Sequence, residues 1–392
     1  MTSPSTETTE PLELLWYLTA PDGRAPWAAD GARTVDHAYL KQLAGAIDHL
    51  GFSGALLATG PHDVHVLAAA MIAHTERMRF LMAVHPPLLS PMLAAKMAVT
   101  IDQFSRGRVL LNIVNGDTRT LQSMGSSLPH DERYAYTDEW IPAWRAAVAG
   151  ETVNVEGRYV TVKDGRIALR PVQTPTPPLW FGGSSPAALR TAAKHIDTYL
   201  VYGDDLDTTR ERLETVRALA AEHGRTLRFG MRLYAIVRDT DEEAWEEAGR
   251  LLRTMDPDAI AGIQASFRGT DSVVQQRQLA LHGGRIPDDP RELEISPGLW
   301  SGFGLVRAGA STAIVGSPET VRERLRDFQA LGISTFILSG VPLLEEAYRF
   351  SETVLPGLDV ISPEAVTAAA VAGGDGDAGE LSYRTLIGEG RR

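Results

Sequence analysis

The chain has 392 residues, 44% of them hydrophobic and 22% charged, which is globular composition and enough length for one large domain or two ordinary ones. Its formal net charge of -12 argues against a general affinity for nucleic acid or anionic membranes, while local basic pockets stay open. The absence of cysteine excludes disulfides, thiolate metal sites and a thiol nucleophile. Residues 1–11 are rich in Ser, Thr and Glu with no basic start or apolar core, and no apolar run approaches the roughly 20 residues that span a bilayer. A soluble cytoplasmic protein is the default expectation.

In chain order, apolar runs of strand length alternate with helical patterns. Leu12–Ala20 reads as a strand, His37–Leu50 as a helix stopped by Gly51, and Ser53–Thr59 as a second strand followed by a helical stretch from Val64. Arg79–Val84 and Val109–Val114 are further strands; helices run from Ser90-Pro91 to Phe104 and from Asp131 to Gly150. The rhythm breaks at 151–178, where Val153–Val155 and Tyr159–Val162 flank Glu156-Gly157-Arg158 as an inserted hairpin, before a proline-rich return. Pro178-Leu179-Trp180-Phe181-Gly182-Gly183-Ser184-Ser185-Pro186 then reads as a buried strand running into a helix. Asp197–Tyr202, Arg228–Val237 and Ser334–Ser339 complete eight strands, with helices from Thr208, Asp241, Ser317-Pro318 and Leu344. Residues 256–300 read as a second, irregular insertion that the glycine-rich segment to 310 extends, and the Ala- and Gly-rich residues from 358 as a tail. The domain expectation is one unit over 12–357, with insertions at about 151–178 and 256–310 and tails at 1–11 and 358–392.

Eight strands, most followed by a helix, predict a closed (β/α)₈ TIM barrel, with an open doubly wound sheet as the competitor. The first strand lacks the glycine fingerprint such a sheet would carry on its following turn. A barrel puts its chemistry at the strand C-termini. There, Gly183, Ser184 and Ser185 before Pro186 form an anion site or an ordinary strand-to-helix turn. Asn112, Val114 and Gly116 alternate onto one face of the fourth strand, where a buried amide must find partners in a planar ring or in backbone. Arg133 and Tyr134 open a helix near this end, and Arg232 sits inside an apolar strand where burial would demand an anionic partner. Arg307 lies in Ser301–Ala310, a glycine-rich segment suited to a mobile lid or to a plain loop. His62, Asp63 and His65 follow the second strand, but their spacing matches no helical zinc motif, so no metal is expected.

Together the pieces Trp16-Tyr17-Leu18, Thr34–His37, Thr59-Gly60, Arg133-Tyr134, Phe181–Ser185, Asp271-Ser272-Val273, Leu293–Pro297, Gly304–Arg307, Leu338-Ser339-Gly340 and Glu345–Arg349 resemble the FMNH₂-dependent alkanesulfonate monooxygenases. These are luciferase-like, two-component flavin enzymes. The resemblance runs from about residue 12 to 357. It implies a luciferase-like barrel, reduced FMN (FMNH₂) supplied by a separate NAD(P)H-dependent flavin reductase, O₂ as co-substrate through a peroxyflavin, and C–S cleavage of a small anionic substrate to aldehyde and sulfite. A homo-oligomer is also expected. By position, Ser184 and Ser185 would hold the FMN phosphate beside Gly183, Arg133 and Tyr134, while Thr59, Asn112, Val114 and Asn115 would line the flavin. Arg232 and Arg307 match the substrate-mouth arginines. The departures cluster at that mouth: Asp63 stands for a cysteine, Tyr234 for a histidine, Val341 for a tyrosine, Leu343 for a histidine, Tyr202 for a tryptophan and Pro21 for a histidine. Asp63, His62 and Tyr234 are therefore the candidates for proton handling. The rewritten mouth keeps other readings open: the same chemistry on a sulfone or natural-product intermediate, a deazaflavin-dependent oxidoreductase, or a flavin-binding protein without turnover.

Overall fold

The computed structural model describes residues 10–28, 30–267 and 271–372. Eight parallel strands close into a barrel: β1 (Glu13–Tyr17), β2 (Gly54–Leu57), β3 (Arg79–Val84), β4 (Val109–Ile113), β7 (Leu179–Phe181), β8 (Thr198–Tyr202), β9 (Arg228–Val237) and β13 (Thr335–Ser339). The ring shuts through two registers, Leu15 against Ile337 and Tyr202 against Arg232. All eight are the strands read from the sequence. Both faces of each are covered, which is why they read as continuous apolar runs and not as alternating ones. Leu15, Leu56, Leu81, Leu110, Trp180, Leu200 and Ile337 fill the barrel interior. The alternate residues pack outward under the helices.

The helices are α1 (His37–His49), α2 (Val64–Ile72), α3 (Pro91–Ser105), α4 (Thr118–Ser123), α5 (His130–Ala149), α6 (Pro186–His195), α7 (Leu206–Ala221), α8 (Asp241–Arg253), α11 (Pro318–Ala330) and α12 (Leu343–Thr353). Side chains of Asp36, Asp63, Ser90, Ser185, Asp205 and Ser317 cap their N-termini, each accepting from a backbone N–H of the first turn. These caps fix where each strand-to-helix loop ends, so they set the loops that form the C-terminal face of the barrel.

The first insertion is the expected hairpin, β5 (Val153–Glu156) against β6 (Thr161–Gly165), its strands antiparallel. The second is more regular than its sequence implies. It contains α9 (Pro257–Phe267), α10 (Val273–His282) and the short strands β10 (Glu294–Ser296) and β11 (Leu299–Trp300). β11 runs antiparallel to β12 (Ala313–Gly316), which pairs with the distal half of the ten-residue β9. The glycine-rich segment read as a mobile lid or a plain loop is buried over Ser301–Val306, where Phe303 and Leu305 are fully covered within an apolar cluster containing Tyr234, Trp245 and Trp300, and comes to the surface over 307–310. The glycines are there for contact, since a Cβ on Gly302 would fall 1.9 Å from the Trp300 ring. The tail also takes part in the fold as far as 372. Ile361 N–H donates to the Leu12 carbonyl at 2.9 Å, and α13 (Pro363–Val371) docks where Thr174 N–H reaches the Ala370 carbonyl at 3.1 Å.

Candidate active site

A cleft of about 540 Å³ opens at the C-terminal face of the barrel, the face where such barrels carry their chemistry. Its walls come from the ends of β2, β3, β4, β7 and β8 and from the start of α10. Thr59, Val114, Asn115, Tyr134, Gly183, Ser184 and Ser185 all line it, so most of the flavin-side residues read from the sequence meet in one place.

The β7–α6 junction forms one end. Ser185 caps α6 by accepting from Ala188 N–H at 3.2 Å, and Pro186 occupies the first helical position. Gly183 lets the backbone turn tightly, because a Cβ there would lie 2.9 Å from both the Ala188 Cβ and the Phe181 ring. Its carbonyl accepts from the Tyr199 hydroxyl at 2.6 Å. Tyr134 reaches this end with its hydroxyl toward Ser185, and burial raises its pKa.

The opposite wall is made of an amide and an imidazole with unused polar atoms. Asn115 is buried; its Oδ1 accepts from Thr137 Oγ1 at 2.7 Å, and its Nδ2 has no partner. Asn112, inside β4 and not among the residues lining the cleft, has an Oδ1 that is also without a partner. Thr59 Oγ1 lies 2.8 Å from His85 Nε2, while His85 Nδ1 is unpartnered. Burial lowers the His85 pKa, so the ring is held neutral and one nitrogen remains an acceptor. His85 stands at the end of the third strand, one of the strand ends to which a barrel sequence directs attention, and it lines the cleft.

Arg232 and Arg307 meet at Tyr234. Arg307 Nε donates to the Tyr234 hydroxyl at 3.1 Å. The Arg232 guanidinium is stacked between Tyr17 and Tyr234, 4.4 and 4.5 Å from the ring centres, and donates to Ser339 Oγ at 2.7 Å and to the Leu233 carbonyl. Among the described residues neither arginine makes an ion pair with a carboxylate. Burial pushes the Tyr234 phenol up, but the Arg307 and Arg232 charges outweigh it and hold the group below an ordinary tyrosine. Tyr202, whose strand register partner is Arg232, is pushed up to about 12, first by burial and then by the nearby Tyr134 and Tyr17 phenols, which the Arg232 charge only partly offsets. The space left between Tyr234, Arg307, Phe303, Trp27, Val341 and Leu343 is only about 10 Å³, room for a single water, so this mouth is shut.

Two other predicted residues are also placed differently. Asp63 is exposed and caps α2, accepting from His65 N–H at 3.0 Å and Val66 N–H at 2.9 Å; it does not line the cleft. Arg133 is fully buried and paired with Asp271 from the second insertion, whose carboxylate also accepts from Thr118 Oγ1 at 2.6 Å. Its charge is therefore already matched.

Residues 19–335 match the family described as luciferase-like monooxygenase. The chain belongs to that family. Solved structures agree on the fold at low identity. One is a riboflavin lyase (RcaE) with modified FMN and substrate riboflavin, at TM-score 0.73 and 17% identity, covering 93% of this chain and 96% of that one. Another is the EDTA monooxygenase (EmoA) from Chelativorans sp. BNC1, at TM-score 0.71 and 16% identity, with 93% and 98% covered. A coenzyme F420 dependent tetrahydromethanopterin reductase from Methanopyrus kandleri also shares the barrel, at TM-score 0.63 and 17% identity, with 89% and 99% covered. The chain is thus an oxidoreductase of the luciferase-like barrel. No helix among the described residues is long and apolar enough to cross a membrane.

Proposed function

We propose that the protein is an FMNH₂-dependent monooxygenase acting on a small anionic organic substrate, with organic sulfonates the first class to test and a separate NAD(P)H-dependent reductase as its source of reduced flavin. The observation that carries the anionic substrate is the pair of arginines at Tyr234, two cations without a carboxylate partner among the described residues. A buried cation left unmatched is costly, and a ligand anion is the partner the site has room to gain once the mouth opens.

The cleft fits a flavin mononucleotide on its own donor set. The unpartnered Asn115 Nδ2 and His85 Nδ1 offer a donor and an acceptor for an isoalloxazine edge, with Thr59 and Val114 against it. Gly183, Ser184, Ser185 and the Tyr134 hydroxyl would hold the phosphate at the start of α6. When bound, reduced FMN supplies the two electrons that let O₂ place one oxygen on the substrate and release the other as water. The chain's own part is positioning. Arg232 and Arg307 orient the substrate anion. Tyr234, held between them, is the residue set to give or take a proton at its Oη. The packed Trp300–Val306 segment keeps bulk water from the reacting groups.

The test is oxygen uptake and sulfite release with reduced FMN over a panel of sulfonates, carboxylates and neutral sulfones. O₂-dependent turnover of anionic members is expected, with Arg307→Ala lowering kcat/KM for them roughly tenfold to a hundredfold, the worth of a charge-assisted hydrogen bond. Turnover without oxygen, by hydride transfer from a deazaflavin, would replace this reading with that of the F420-dependent enzymes that share the barrel. Equal effects of Arg307→Ala on neutral and anionic substrates would remove the case for an anion.

A further inference from the structure

A second cavity, of about 230 Å³, opens off the α6 end of the cleft, between β8, α7 and α10. It shares Ser184, Tyr202, Val273 and Val274 with the larger cleft. Two features of its wall point to a ligand. Thr209 is 2% exposed and its Oγ1 has no hydrogen-bond partner. Arg212, one turn further along the same face of α7, donates Nη1 to the Ser184 carbonyl at 3.3 Å and makes no ion pair among the described residues. The other arginine of this cavity is different: Arg277 donates Nε and Nη2 to Asp204 at 2.8 and 2.9 Å, so those charges cancel.

We propose that Arg212 takes the phosphate of the cofactor, reaching the Ser184-Ser185 turn from the α7 side, with Thr209 Oγ1 as a further donor. The sequence resemblance points to Arg133 for this work, but Arg133 is fully buried and its charge is held by Asp271. Arg212 is half-buried, already in contact with the phosphate turn, and unmatched. A guanidinium is suited to a phosphate because its planar fork can give two parallel hydrogen bonds. The inference rests on the flavin reading above.

The full-length chain is titrated anaerobically with FMN and with riboflavin, each oxidised and reduced, following flavin fluorescence and absorbance; the two ligands differ only by the phosphate. FMN is expected to bind at least tenfold more tightly than riboflavin. Arg212→Ala should lose about tenfold to a hundredfold in FMN affinity, with riboflavin unchanged. Arg212→Lys should recover part of the loss and Thr209→Val should lose severalfold. Arg133→Met should leave the ratio of the two affinities intact. Unchanged FMN preference in Arg212→Ala, or equal loss for both flavins, would overturn the assignment to Arg212 while leaving flavin use standing. Failure of the parent chain to bind either flavin would overturn the functional reading itself.

Discussion

Asp271→Ala should destabilise the protein more than Arg133→Met, although the two side chains form one ion pair. The asymmetry follows from exposure: the Arg133 side chain is 0% exposed and that of Asp271 30%. Removing the carboxylate strands a buried guanidinium whose Nε and Nη1 already have no partner. Breaking a buried pair this way costs about 3–5 kcal/mol, and water reaching the vacated end brings the figure down to about 2–3 kcal/mol. Removing the arginine leaves a carboxylate that keeps Thr118 Oγ1 and turns to solvent, while methionine fills the buried volume, so a loss of about 0–1 kcal/mol is expected. Urea unfolding followed by tryptophan fluorescence and far-UV circular dichroism reads the difference, and the double variant should fall close to Arg133→Met alone. Equal losses, or a larger one for Arg133→Met, would show that Arg133 is held by something other than Asp271. The pH dependence gives an independent sign. Burial pushes the Asp271 carboxyl up, but bonds from Thr118 and Arg133 outweigh it and hold it low. Its contribution is therefore fully present above the unfolded carboxyl value of about 3.9 and is lost as pH falls through the lower folded value. The parent should lose its advantage over Asp271→Ala only in that acid window.

Tyr234 makes a prediction of the opposite window. Its phenol is set below the ordinary value because two guanidiniums outweigh its burial, so ultraviolet difference spectra should show one tyrosine ionising ahead of the rest. That step should vanish in Tyr234→Phe and move upward in Arg307→Ala. The linked stability is fully present above the unfolded phenol value of about 10 and is lost as pH falls through the folded one. A parent spectrum identical to that of Tyr234→Phe would refute the electrostatic account. At the other end of the cleft, Gly183→Ala forces a Cβ to within 2.9 Å of Ala188 and Phe181. It should cost about 1–3 kcal/mol by overpacking and lower FMN affinity through the displaced turn. Thermal unfolding and FMN titration both unchanged would mean that the turn tolerates a side chain.

The barrel was legible because parallel strands buried on both faces read as dense apolar runs, as in Leu14–Tyr17 of β1, Phe80–Val84 of β3 and Leu233–Val237 of β9. β12 was not, since four residues between a glycine-rich loop and Ser317 carry no period, and its pairing partner is the far half of β9. The second insertion hid its helices for a related reason: α10 buries Gln275, Gln278 and His282, polar residues that give no apolar stripe. Strand ends read from sequence position alone include Asn115 and Gly183, which line the cleft. What position could not supply was partnership. Arg133 looked free because its partner, Asp271, lies 138 residues away, and Asp63 looked catalytic because its capping bonds to His65 and Val66 are invisible without the turn they close.

Charge bookkeeping over the folded chain then gives the site a direction that no motif carries. The protein has a net charge of -12, and most of its buried or half-buried arginines are matched: Arg79 by Glu13, Arg133 by Asp271, Arg238 by Glu346. Arg212 is unmatched at the α6 end of the cleft, and Arg232 and Arg307 are unmatched at the mouth beside Tyr234. Arg108 is also buried without a carboxylate, but its guanidinium is taken up by oxygens of Ser105, Thr75 and Met78. On the proposed function, Arg212 would take the phosphate of the cofactor and the Arg232–Arg307 pair the anionic group of a substrate, as two separate anion sites. Arg212→Ala should therefore weaken FMN without changing which substrates are chosen, and Arg307→Ala should change the choice of substrate without weakening FMN; a variant at either end that did both would show that the two anion sites are one.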